Sequence, residues 1–239
     1  MNDQTPERGG QACPVICIDG PNASGKGTVS QILAQRLGWH LLDSGALYRL
    51  VALSATRTGV SLDEPDELAD VAIGLDVAFV PGDIGEPVLV HLAGKDVTTA
   101  LRTEECGAIA SKVAAYPPVR AALLARQRAF RTAPGLVADG RDMGTVVFAD
   151  APLKVFLTAS ADVRALRRYN QLSAKGNDVN LAALSVEIAK RDRQDRERAT
   201  APLRVAEDAH LVDTSELSIE AVLECVLTKA RKSGLGSHF

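Results

Sequence analysis

Between Gly20 and Thr28 the chain reads GPNASGKGT, and its flanks match what such a run needs. Val15-Ile16-Cys17-Ile18 before it is a short apolar stretch that predicts a buried strand. After it, Val29, Ile32, Leu33 and Leu37 recur at helical spacing, and Gly38 supplies a stop. Strand, glycine-rich turn and helix in that order form an anion cradle. Gly20 and Gly25 free the backbone, successive N–H groups turn inward, and the helix dipole stands behind them. Lys26 then reaches the outer phosphates as a mobile point charge. Gly20, Pro21, Asn22, Ala23, Ser24, Gly25, Lys26, Gly27 and Thr28 are therefore the candidate site for a nucleoside triphosphate. The common form, GxxxxGK[ST], places a magnesium-binding hydroxyl after the lysine, where this chain has Gly27. Thr28 can still hydrogen-bond phosphate. The metal is expected to be held mostly by water and nucleotide oxygens, and no protein ligand is assigned to it.

A length of 239 residues allows one large domain with insertions, or two small ones, with ample core. A net charge of −3 offers no general attraction to a polynucleotide, so no nucleic-acid partner is expected. Cys13, Cys17, Cys106 and Cys225 form no CxxC pair and have no histidine at metal spacing. They are expected to be reduced, buried and inert, in keeping with a cytoplasmic protein. Residues 1–13 read as a disordered tail without an apolar leader, and no apolar run is long enough to span a membrane.

Along the chain, His40 to Leu42 predicts a short strand, and Ser44 is placed to cap a helix from Gly45 to about Thr58. A helix over Pro65 to Gly74 follows. Then the period changes to alternation at Leu75, Val77 and Phe79, and again at Val88, Val90 and Leu92, across turn residues Pro81 to Pro87. That pattern is a hairpin in a small antiparallel sheet, either a decoration or a substrate-binding subdomain. Helices are expected over Thr103 to Ala115 and Pro118 to Arg131, separated by a break at Pro117-Pro118. Further core strands are expected at Gly135 to Ala138, Leu153 to Leu157 and Ala209 to Val212, with a last helix from Ser218 to Arg231. Strands alternating with helices indicate a parallel sheet covered on both faces, with ligands at the carboxyl ends of the strands.

Two more stretches carry chemistry. Asn180 caps a helix on which Leu181, Leu184 and Ile188 share a face, and that face continues into Arg191, Asp195 and Arg198. A solvated helix would put these charges opposite the apolar stripe, as Arg193 and Glu197 more nearly are. They read as a lid that folds over a phosphoryl group in transfer, with a solvated or salt-bridged helix end as the alternative, since i,i+4 pairs of opposite charge also stabilise bare helices. Arg164, Arg167 and Arg168 share a face of the preceding helix and fit either a lid or a structural role. The third stretch, ADGRDMG from Ala138 to Gly144, puts a carboxylate and an arginine at the mouth of the sheet, facing the phosphate loop, though ordinary turn chemistry also favours Asp and Gly there.

The GPNASGKGT loop, the DSGALYR segment from Asp43 to Arg49, the ADGRDMGT stretch and the RDxxDxxRxxxPL pattern from Arg191 to Leu203 together resemble the bacterial cytidylate kinases. The resemblance runs from about Val15 to the C-terminus. It implies an α/β P-loop kinase fold: a five-stranded parallel sheet covered by helices, with a small antiparallel β insertion and a helical lid. The core would comprise residues 14–70 and 113–239, with the lid at about 160–204 and a monophosphate-binding insertion at 71–112. It implies transfer of the γ-phosphoryl group of ATP, with Mg²⁺, to CMP or dCMP. Lys26, Arg191 and Arg198 would serve catalysis, and Ser44, Arg49 and Arg141 would hold the acceptor phosphate. Ser111, Arg120 and Asp142 would surround cytosine, while Arg191, Asp195 and Arg198 would meet the acceptor from the lid. A phosphate-oxyanion acceptor needs no general base, and no histidine lies near the motifs. A monomer acting on ATP and CMP or dCMP, without nucleic acid or membrane, is the implied state. A kinase of the same fold acting on UMP or AMP remains the alternative. A guanine-nucleotide switch would need an [NT]KxD motif, which is absent.

Overall fold

The computed structural model describes residues 13–80, 88–174 and 176–235. The expected tail, apart from residue 13, and the turn over 81–87 lie outside these residues. Strand β1 (Val15–Asp19) is central in a parallel sheet that also contains β2 (His40–Asp43), β6 (Leu136–Gly140), β7 (Leu153–Thr158) and β8 (His210–Asp213). The spatial order is β2-β6-β1-β7-β8, and every pairing is parallel. Alternation along β1 divides its side chains between two cores. Val15 and Cys17 face one apolar cluster with α2 (Ser44–Thr58), α3 (Pro65–Ile73), α5 (Glu104–Val113) and α6 (Pro117–Ala129). Ile16 and Ile18 face the other, with α1 (Lys26–Leu37) and α9 (Ile219–Ala230). All five residues of β1 are buried, as a doubly covered parallel strand requires.

A second sheet, antiparallel in the order β3-β4-β5, is formed by Val77–Val80, Leu89–Leu92 and Lys95–Asp96. Its inward residues Val90 and Leu92 belong to the same cluster as Val15 and Cys17, so it rests directly on the main core. A short α4 (Thr98–Leu101) leads from it into α5. Helices α7 (Ala161–Ser173) and α8 (Leu181–Glu197) pack against each other beyond the end of β7.

The expected elements all form, with ends displaced by one or two residues. Four readings change. Asp43, not Ser44, caps α2: its Oδ1 accepts from the Ala46 N–H at 3.0 Å, because the helix begins directly at Ser44. Pro117 is the first residue of α6, where its missing N–H costs nothing, and so begins that helix. Of the cysteines, Cys17 and Cys106 are buried while Cys13 and Cys225 are half-buried, and all four are free thiols. On α8, Leu184 and Ile188 are buried as expected but Leu181, at the first turn, is 41% exposed. No helix among the described residues is long and apolar enough to cross a membrane.

Candidate active site

Where β1 ends, the loop turns so tightly that a Cβ on Gly20 would sit 2.1 Å from the Leu157 carbonyl oxygen, which only glycine tolerates. Gly25 precedes α1 with φ of 90°, and no side chain caps that helix. Its first N–H groups are thus left facing the cleft, as an anion site needs. Lys26, the first residue of α1, donates from Nζ to the Pro21 carbonyl at 3.4 Å. Burial pushes its pKa down to about 8, helped by the positive charge of Arg141 and opposed by Asp139 and Asp43.

Two carboxylates at the strand ends support this loop. Asp19 closes β1 and accepts the N–H groups of Met143 and Gly144 at 2.9 and 2.8 Å, fixing the loop that follows β6. Burial raises its pKa to about 6 against those two bonds. Asp139 of β6 is raised by burial to about 7, opposed by Lys26, and its buried Oδ1 has no hydrogen-bond partner. A cavity of about 430 Å³ opens between these groups and includes Asn22, Lys26, Thr28, Asp43, Asp139 and Arg141 among its walls. Arg167 and Arg168 line it from α7.

A smaller cavity of about 90 Å³ adjoins it, lined by Ser44, Ser111, Asp142, Arg191, Asp195 and Arg198. With capping given over to Asp43, the Ser44 side chain is left to line this space. The ion pairs here are formed across elements. Arg141 Nε donates to Asp195 at 2.8 Å, joining the loop after β6 to α8. Arg120 pairs with Asp142 from behind and lies 5.6 Å from the centre of the Tyr48 ring, while Arg198 is 3.6 Å from the other Asp142 oxygen. Arg191 bonds to the Glu104 carbonyl at 2.8 Å and to its carboxylate at 3.1 Å. Ser111 Oγ donates back to the Gly107 carbonyl at 3.2 Å. Arg49 donates to the carbonyls of Leu101 and Thr103 at 2.6 and 3.0 Å. A Cβ on Gly107 would sit 2.7 Å from that guanidinium, so the bare glycine makes its position possible.

The structure brings Ser44, Arg49, Ser111, Arg141, Asp142, Arg191, Asp195 and Arg198 onto one cavity, with Arg120 one layer behind. Of the phosphate-loop residues, Gly20, Pro21 and Ser24 lie beneath the cradle and do not face the larger cavity. Asp19, Asp43, Asp139 and Glu104 were not assigned from the sequence. A carboxylate closing β1 and β2, and one standing next to last in β6, was the available signal, since strand ends carry the site in this architecture. The three arginines of α7 separate: Arg167 and Arg168 line the larger cavity, whereas Arg164 is buried against Asp192.

A parallel sheet ending in a phosphate loop, a half-buried lysine, and arginines gathered from four elements define a P-loop phosphotransferase. The family model described as cytidylate kinase matches residues 16–232. A cytidylate kinase of Pseudomonas aeruginosa is 58% identical over 223 residues, covering 93% of this chain and 97% of its own length. One from Shewanella sp. (strain W3-18-1) is 58% identical over 217 residues, covering 91% and 94% respectively. A solved gluconokinase from Sinorhizobium meliloti, 16% identical, overlays with a TM-score of 0.44 over 93% of this chain and 94% of that one. The chain belongs to the cytidylate kinase family. It is an ATP-dependent nucleoside monophosphate kinase.

Proposed function

We infer that the cleft transfers the γ-phosphoryl group of ATP to CMP, giving CDP and ADP, and accepts dCMP as a second substrate. One observation supports this above the others. The phosphate-loop cavity and the smaller cavity share Asn22, Gly45, Arg49, Gly140 and Arg141, so donor and acceptor phosphates would meet there. Lys26 and the loop N–H groups hold the triphosphate. Arg49, Arg141 and Ser44 hold the acceptor phosphate, and Arg191 and Arg198 neutralise charge as it spreads in the transition state. The acceptor oxygen is already anionic, so alignment and charge neutralisation suffice. Two buried arginine donors, Nε of Arg191 and one terminal nitrogen of Arg198, lack hydrogen-bond acceptors. Ligand oxygens or ring atoms would satisfy them.

Asp142, Ser111 and Arg120 read the base, and residues 71–112 form the monophosphate-binding insertion. Among the described residues no group of three or more His, Cys, Asp or Glu stands together as a metal site. The unpartnered oxygen of Asp139 beside Lys26 fits Mg²⁺ held mainly by phosphate oxygens and water, as that hard cation prefers. Asp139 and Asp43 would orient its waters, and when bound it would neutralise charge on the transferring phosphates. A monomer is the state proposed for this activity. The test is a coupled ADP-release assay over CMP, dCMP, UMP and AMP. CMP should give the highest kcat/KM, and a larger value for AMP or UMP would remove the proposed base specificity.

A further inference from the structure

Arg164 touches neither cavity, yet it is only 3% exposed. It is the fourth residue of α7, and its guanidinium makes two parallel bonds to Asp192 of α8, at 3.0 and 2.5 Å. Nε also donates to the Ala159 carbonyl just past β7 at 3.0 Å. The remaining bond reaches the phosphate loop, where Nη1 donates to the Asn22 carbonyl at 3.2 Å. One side chain therefore joins the lid helices, the carboxyl end of β7 and the loop.

A separate observation bears on the same peptide. Ala23, immediately after Asn22, has φ of 59°, a left-handed conformation that alanine resists because its Cβ crowds the backbone. Such residues persist only where their surroundings hold them. The Asn22 carbonyl belongs to the peptide linking Asn22 to Ala23, so fixing its direction restrains that rotation. Both residues line the nucleotide cavity.

We propose that Arg164, held by Asp192, is a positioning residue that pins the Asn22–Ala23 peptide and keeps the phosphate loop in its triphosphate-receiving shape. The proposal rests on the reading that this loop cradles ATP. Stability alone does not account for the pair: a buried ion pair is a weak stabiliser, and apolar residues of similar volume often replace it without loss. The geometry also gives the lid a direct line to the loop, since Asp192 lies one residue from Arg191, which faces the acceptor.

The test uses Arg164→Met with Asp192→Leu, which removes both charges together and leaves neither buried alone. The melting temperature should stay near that of the wild type. KM for ATP should rise roughly tenfold, the order expected when a strained loop conformation loses its restraint, while KM for CMP changes less than about twofold. Ala23→Gly added to this background should recover at least about threefold of the lost ATP affinity, because glycine enters the left-handed region freely. Unchanged KM for ATP, or a loss that glycine does not recover, would reduce the pair to packing. If the double variant does not fold, Arg164→Lys gives the same readouts, since an ammonium cannot serve the Asp192 fork and the loop carbonyl together. Lys26→Met separates the two ideas. Full activity in that variant removes the loop reading itself, whereas its collapse beside an unaffected Arg164 variant removes only the anchor.

Discussion

On the phosphate-loop side of the cleft, half-buried Lys26 lies against a backbone carbonyl at 3.4 Å and its charge is disfavoured, with a pKa of about 8. On the acceptor side Arg141, Arg120, Arg198 and Arg191 already face carboxylates of Asp195, Asp142 and Glu104. The first region is under-compensated and is completed by an incoming anion. The second starts compensated, so an acceptor must exchange protein ion pairs for its own. Such an exchange cancels much of the net electrostatic gain and leaves hydrogen-bond pattern to discriminate among ligands. On the proposed reading, affinity for the triphosphate therefore sits in the loop, and choice among monophosphates sits opposite.

The sharpest way to break this contrast is Lys26→Met, which keeps length and apolar stem but deletes the charge. Turnover should fall by about a hundredfold or more, the scale of losing a main electrostatic contact to the transferring group. The fold should be no less stable. A lysine whose folded pKa lies below the usual 10.5 costs stability in its charged form below about pH 8, and the variant removes that cost. A variant retaining more than about a tenth of wild-type kcat would contradict the assigned role.

On the acceptor side, Asp142→Ala should cut kcat/KM for CMP far more than for UMP. A carboxylate only accepts hydrogen bonds, which suits the 4-amino group of cytosine and not the carbonyl of uracil. A buried mismatch costs about 1–3 kcal/mol, so the CMP preference should narrow roughly tenfold to a hundredfold. The ratio is the proper readout because the substitution also strands Arg120, whose loss of a buried partner costs stability for both substrates alike. A parallel fall would mean that Asp142 serves the loop or the phosphate.

A smaller effect is expected from Asp195→Ala, which frees Arg141 and removes a sugar-side acceptor. The CMP to dCMP ratio of kcat/KM should shift about threefold to tenfold, whereas Arg191→Met should lower both substrates together. An unchanged ratio with only a lower melting temperature would leave Asp195 as an ion-pair partner.

The smallest effect concerns pH. The negative charge of Asp139 supports the charged form of Lys26. Asp139→Asn should therefore lower the lysine pKa further and move the basic limb of kcat/KM for ATP to lower pH. That profile reports groups of the free enzyme. A limb that stays in place, or moves to higher pH, would uncouple the two groups.

The phosphate loop, the order of strands and helices, and the passage of the α8 stripe from Leu184 and Ile188 into Arg191 and Asp195 were legible in the sequence. Each depends on local terms: turn conformation, side-chain periodicity of two or 3.6, and capping within a few residues. The sequence even marked Arg164, Arg167 and Arg168 as one helical face, yet it could not separate them. Sheet order did that, by bringing α7 beside the Asn22 carbonyl and Asp192 while leaving Arg167 and Arg168 at the cavity. The sequence pointed to Ser44 as the cap of α2, and the helix starting directly after β2 gave that role to Asp43. The pairings Arg141–Asp195 and Arg120–Asp142 span 54 and 22 residues, and burial at the strand ends raised the pKa values of Asp19 and Asp139. Spacing along a chain says nothing about such distances or about the loss of water. Only the packed sheet, by choosing which charges are desolvated and which partners face them, could decide either.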